Sequence, residues 1–162
     1  MPDLEELWYQ LNRQPVHAFA DWPNREIPKG QPGVYLVYQG TKWIYIGMSF
    51  KNLQSRLNQH ASGRRSGDQF CVYLGDRLVM PKLGIDQMKD LFSGELSLDH
   101  EIKKFVRSQL SYRYLLVKDD PTARALVRGA LGGAALERVG VVPRELGERW
   151  DLVLGHQVEP ER

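Results

Sequence analysis

Apolar and polar positions follow two different rhythms along this chain, and the places where the rhythm changes mark its elements. Leu4 to Leu11 carries an amphipathic, helix-like pattern that stops before Pro15. Residues 12–32 hold Pro15, Pro23, Pro28 and Pro32 and predict an extended lead-in rather than a separate domain. Gly33-Val34-Tyr35-Leu36-Val37-Tyr38 then alternates as a strand does, breaks at Gln39-Gly40, and resumes as Trp43-Ile44-Tyr45-Ile46, which predicts a β-hairpin. After the loop Met48-Ser49-Phe50-Lys51, Asn52 occupies an N-cap position ahead of Leu53 and Leu57. Arg56 and His60, four residues apart, share one face of that helix. Ser62 to Asp68, rich in Gly and Arg, predicts a loop with basic side chains, and the apolar run Phe70 to Leu74 predicts a strand that joins the hairpin. Asp99 to Leu110 predicts a helix with a core stripe of Ile102, Phe105, Val106 and Leu110. A strand from Tyr112 to Val117 and a helix from Thr122 follow; beyond Gly132-Gly133 the pattern weakens towards a frayed tail at Glu159 to Arg162.

Composition changes this picture little, but charge distribution changes it a good deal. At 162 residues and 42% apolar content the chain can bury one full core. The net charge of +2 conceals an asymmetry: from Ile27 to Gly67 there is no Asp or Glu, while Lys29, Lys42, Lys51, Arg56, Arg64 and Arg65 all fall there. A basic window of that kind is the footprint of a phosphate-binding surface. Cys71, the lone cysteine, cannot form an internal disulfide, which points to a reducing, cytoplasmic setting. One Cys and four scattered His give no zinc-type cluster, and neither a secretory signal nor a membrane-spanning run is present in the sequence.

The order of the central elements carries the functional signal. Gly33-Val34-Tyr35, a hairpin, Tyr45-Ile46-Gly47, a short loop, and a helix bearing Arg56 and His60 together resemble the GIY-YIG nuclease family. The resemblance implies an α/β fold with a small mixed central β-sheet flanked by helices. It divides the chain into a lead-in over 1–30, a nuclease-like domain over 31–140 and a C-terminal extension over 141–162. It also implies a metal-dependent endonuclease that hydrolyses DNA phosphodiester bonds with Mg²⁺ or Mn²⁺. Tyr35 and Tyr45 would face one pocket, helping to activate water and orient the phosphate. Arg56 would neutralise charge on the phosphoryl oxygens with its planar fork, and His60 would shuttle a proton or contact the phosphate. Lys42, Lys51, Arg64 and Arg65 are the candidates for contact with the nucleic-acid backbone.

Two departures from the family pattern qualify that expectation. The spacing from Gly47 to Arg56 is one residue longer than is common in the family, which places an insertion in the Met48 to Lys51 loop. More seriously, the family's metal-binding Glu belongs to a later helix, and the corresponding segment Ala123-Arg124-Ala125-Leu126-Val127-Arg128 has Val127 or Arg128 in its place. Neither side chain offers the hard oxygen that such a cation wants. Glu101, Asp119, Asp120 and Glu137 are the substitutes the sequence offers. Asp119 and Asp120 double as helix caps, and Glu137 stands nine or ten residues too late, about 14 Å along a helix axis. Two readings therefore remain: an active nuclease with a relocated ligand, or a catalytically silent nucleic-acid-binding domain that kept the phosphate clamp. No separate DNA-reading module is appended, so any sequence specificity falls to loops or to a protein partner.

Overall fold

The computed structural model describes residues 3–131; the expected substitute Glu137 and the extension over 141–162 lie outside them. Helix α1 (Leu4–Arg13) begins where the Asp3 carboxylate accepts the Glu5 N–H at 2.9 Å, an N-cap bond. The lead-in supplies a short strand β1 (His17–Ala18) and a single helical turn at Phe19–Asp21. Strands β2 (Gly33–Gln39) and β3 (Lys42–Ser49) form the expected hairpin. They are followed by helices α2 (Leu53–Ser62), α3 (Gln69–Leu74), α4 (Ile85–Ser93) and α5 (Leu98–Gln109), strand β4 (Leu110–Leu116) and helix α6 (Asp120–Leu131).

The sheet has four strands in the order β1-β4-β2-β3. Helices cover both its faces, so the α/β architecture stands, but every strand pairing is antiparallel where a mixed sheet was expected. The cause is the connection from α5 into β4: it brings the chain back beside β2 running the opposite way, without a parallel crossover.

Because successive strand residues point to opposite faces, β2 and β3 feed two separate cores. Val34, Leu36 and Ile46 pack with Trp8 and Leu11 of α1 and with Ala123, Leu126 and Val127 of α6. Tyr35, Val37 and Tyr45 pack on the other side with Leu53, Leu57, Phe70, Leu74, Ile102 and Val106, under α2, α3 and α5. Phe19, Trp22 and Ile27 of the lead-in are buried in this second core, so the proline-rich stretch is structural and not a tether.

One predicted element changes type. The run Phe70 to Leu74, expected as a strand, is helix α3. Its buried residues Phe70, Cys71 and Leu74 fall at i, i+1 and i+4, one face of a helix, and Asp68 caps its start by accepting the Phe70 N–H at 3.1 Å. Short apolar runs do not separate helix from strand by periodicity; here the cap decides. Among the described residues no helix is long and apolar enough to cross a membrane.

Candidate active site

The hairpin register sets two phenols side by side. Tyr35 pairs with Gly47 and Val37 with Tyr45, so Tyr35 and Tyr45 share the face under α2 with ring centroids 6.2 Å apart. Gly47 is required there by close approach: a Cβ on it would overlap the Tyr35 hydroxyl. Gly33 is held by the same logic, since a Cβ would meet Leu53 and the Leu115 carbonyl oxygen.

Helix α2 supplies the next two groups. Asn52 caps it by accepting the Ser55 N–H at 3.1 Å, and Leu53 and Leu57 sink into the core. That orientation drives His60, one turn beyond Arg56, inward until it is 1% exposed. Its Nε2 lies 2.5 Å from the Tyr35 hydroxyl oxygen, and its Nδ1 lies 2.7 Å from Asp68 Oδ2. The rings of Phe70 and Tyr45 pack against the imidazole at centroid distances of 4.4 and 6.0 Å. With Asp68 ionised, Nδ1 carries a proton and donates to it; in the neutral imidazole, Nε2 then accepts from the Tyr35 hydroxyl.

Asp68 is the residue that sequence reasoning missed. Its burial alone would raise the carboxyl pKa, but the His60 hydrogen bond and charge, with further bonds from the Cys71 thiol and the Phe70 N–H, outweigh burial and hold it below the usual range. The available signal was local: an Asp directly ahead of an apolar run is a helix start.

Both phenols are held neutral by their surroundings. Burial pushes the Tyr35 hydroxyl well above its ordinary value, with the neighbouring Tyr45 adding to the rise and Arg56 opposing it. Tyr45 is pushed up for the same first reason, and Asp68 adds to it while Arg56 again pulls down. The two phenols also act on each other electrostatically. Both therefore stay neutral near pH 7. Arg56 is half-buried, is felt by both phenols, and donates to Gln59 Oε1 at 3.3 Å.

Of the predicted site residues, then, Tyr35, Tyr45, Arg56 and His60 are brought together. They converge on a nearly closed cluster in which Arg56 alone is partly exposed. Lys51 is exposed in the β3–α2 loop, at the Gly47 end of the hairpin. Lys42 stands at the other end of β3, roughly 17 Å along the strand from Gly47, where its charge acts on Tyr73. Arg64 is exposed beyond the C-terminus of α2. Arg65 is drawn to α5 by an ion pair with Asp99 at 2.6 Å.

The candidate metal positions fare differently. Val127 is 1% exposed within the core on the opposite face of the sheet, so a carboxylate at this position would enter that core and not the tyrosine cluster. Arg128 is exposed. Glu101 pairs with Lys104, Asp119 caps α6 through the Thr122 N–H, and Asp120 pairs with Arg124. Asp68 is the carboxylate bonded into the cluster, and His60, Cys71 and the Phe70 N–H already engage it. Among the described residues no group of three or more His, Cys, Asp or Glu is placed to share a cation.

The ordered pair of hairpin phenols, with an Arg and a His from the next helix, is matched at the level of the family. Residues 31–105 match the model of the GIY-YIG catalytic domain. This segment is a GIY-YIG domain. Comparison with curated proteins and comparison with solved structures gave no match. The GIY-YIG match ends within α5 and so includes Tyr35, Tyr45, Arg56, His60 and Asp68 while leaving α6 outside.

Proposed function

We propose that this GIY-YIG domain hydrolyses phosphodiester bonds in DNA as an endonuclease. The observation that carries the reading is the chain of hydrogen bonds from Tyr35 to His60 to Asp68, with Tyr45 packed beside Tyr35 and His60 and the Arg56 charge acting on both phenols. A phosphodiester seated on the Arg56 fork is oriented, and the charge that grows on its oxygens in the transition state is offset. Water attacking phosphorus must lose a proton. Tyr35 accepts it while passing its own to His60 Nε2. Asp68 stabilises the imidazolium and holds the ring in the tautomer that leaves Nε2 free to accept, the division of labour seen in hydrolytic triads. As the P–O bond to the leaving sugar oxygen breaks, that oxygen takes a proton back along the chain, and the products are a phosphomonoester and an alcohol. The raised phenol pKa values favour this relay over a standing tyrosinate.

The placement of Val127 supports a second reading, a phosphate-clamping domain without catalysis. One experiment separates the two. The full chain is incubated with single- and double-stranded DNA, with and without Mg²⁺ or Mn²⁺, and cleavage and binding are measured in parallel. We expect cleavage that falls by about 10²–10⁴ in Arg56→Ala and in His60→Ala. Binding without cleavage under every condition would establish the clamp reading instead.

A further inference from the structure

The flank of α2 facing α5 carries a polar groove of about 470 Å³, lined by side chains of α2, the following loop and α5. Gly63, in the left-handed conformation at φ +73°, lets the end of α2 approach α5 so closely that a Cβ would strike the Lys103 backbone. Lys103 and Arg64, although distant in sequence, both line the groove. The basic groups around them are already engaged: Arg65 with Asp99, Lys104 with Glu101, and Arg107 with the carbonyls of Ala61 and Trp22. Among the described residues, no ion pair neutralises Arg64 or Lys103. The one carboxylate on the wall, Asp68, is 4% exposed, and its oxygens are held by His60, Cys71 and the Phe70 N–H.

The groove shares Asp68 with the proposed reaction site. Gln59, which accepts from Arg56, is part of its wall. Ser62, which lines the groove, lies about 9 Å farther along the helix axis than Arg56, an axial rise equal to two to three nucleotides of one duplex strand at about 3.4 Å each. Asn58 has its side-chain oxygen fixed by the Trp22 indole N–H at 2.9 Å, which leaves its amide N–H groups for a ligand. Two unpaired cations and neighbouring amides match a phosphate with its attached nucleotide.

We propose that this groove is a subsite for a flanking nucleotide of the bound strand, two to three positions from the phosphate at Arg56, with Arg64 and Lys103 gripping its phosphate. The proposal rests on the nucleic-acid reading above but not on catalysis. Its test is the salt dependence of binding of a short fluorescent DNA by the full chain. Arg64→Gln and Lys103→Gln should each lower affinity about three- to tenfold at low salt, equally for different sequences, and reduce the slope of log K against log salt by about one. Lys104→Gln removes the same charge from an already paired residue and should leave the slope unchanged. If Arg64→Gln and Lys103→Gln bind as the wild type does while Arg56→Gln binds weakly, the strand bypasses the groove and the proposal fails, with the nuclease reading intact. Absence of binding by the wild type at low salt would overturn both. Competition by inorganic phosphate at Arg64 and Lys103 with no dependence on either residue for DNA would make the groove a small-anion site and overturn the strand subsite.

Discussion

The two faces of the β2–β3 hairpin are built from alternate residues of the same strands, yet they do opposite work. On one, Val34, Leu36 and Ile46 pack with apolar residues of α1 and α6, and the result is a seal. On the other, Tyr35 and Tyr45 bring hydroxyls into the interior, and His60 and Asp68 arrive from outside the sheet to satisfy them. A buried polar chain is tolerated when each member has its partner, and costly when one is missing. On α6 it is the side bearing Ala123, Leu126 and Val127 that belongs to the sealed face, while Arg128 looks outward.

The strongest way to break the contrast is Val127→Glu. A carboxylate forced into the apolar core should cost about 4 kcal/mol or more, read as a lowered midpoint in urea or thermal unfolding, and should confer no metal-dependent cleavage. Arg128→Glu on the exposed side should change stability by less than about 0.5 kcal/mol. A stable Val127→Glu protein that gains cleavage in Mg²⁺ would mean that α6 serves the site after all.

Asp68→Asn tests the polar face. Loss of the charged hydrogen bond to His60 should cost about 2–3 kcal/mol and suppress any cleavage more than it weakens DNA binding. Because the folded Asp68 pKa lies below its unfolded value, its stabilisation is present above about pH 3.9 and is lost as pH falls through the folded value. The wild type should therefore lose stability along that acid limb, and Asp68→Asn should show a flatter one. An unchanged limb would remove Asp68 from the network. Gly47→Ala should cost about 1–3 kcal/mol by displacing the Tyr35 ring, an effect visible in near-ultraviolet dichroism. Gly129→Ala, on an exposed turn of α6 with open space around it, should instead stabilise by about 0.5–1 kcal/mol.

What could be read from the sequence was what local rules determine. Alternation fixed the hairpin, the Asn52 cap fixed the start of α2, and four-residue spacing put Arg56 and His60 on one helix. The direction in which His60 points was open, because it depends on Leu53 and Leu57 being drawn into a core that forms from distant residues. The side of the sheet taken by α6 was equally invisible, since an amphipathic helix states that it has a buried face and not which surface it covers. Arg65 read as free cationic surface for the same reason: its partner Asp99 belongs to α5 and is brought near only by the fold.

Strand β4 sits between β1 and β2, so the hairpin has one flank that is completed only by Leu110–Leu116. Gln39 pairs with Leu110 and Gly33 with Leu116, partners separated by roughly seventy to eighty residues, which at about 5–20 residues per second is several seconds of synthesis. During that interval the newly made chain carries Val34, Leu36 and Val37 on a strand whose backbone donors and acceptors are open to any other extended segment, the condition under which nascent chains cross-pair. Assembly of the chemistry at Tyr35 is thus tied to a late, long-range closure, and the vulnerable moment for this protein falls on the ribosome.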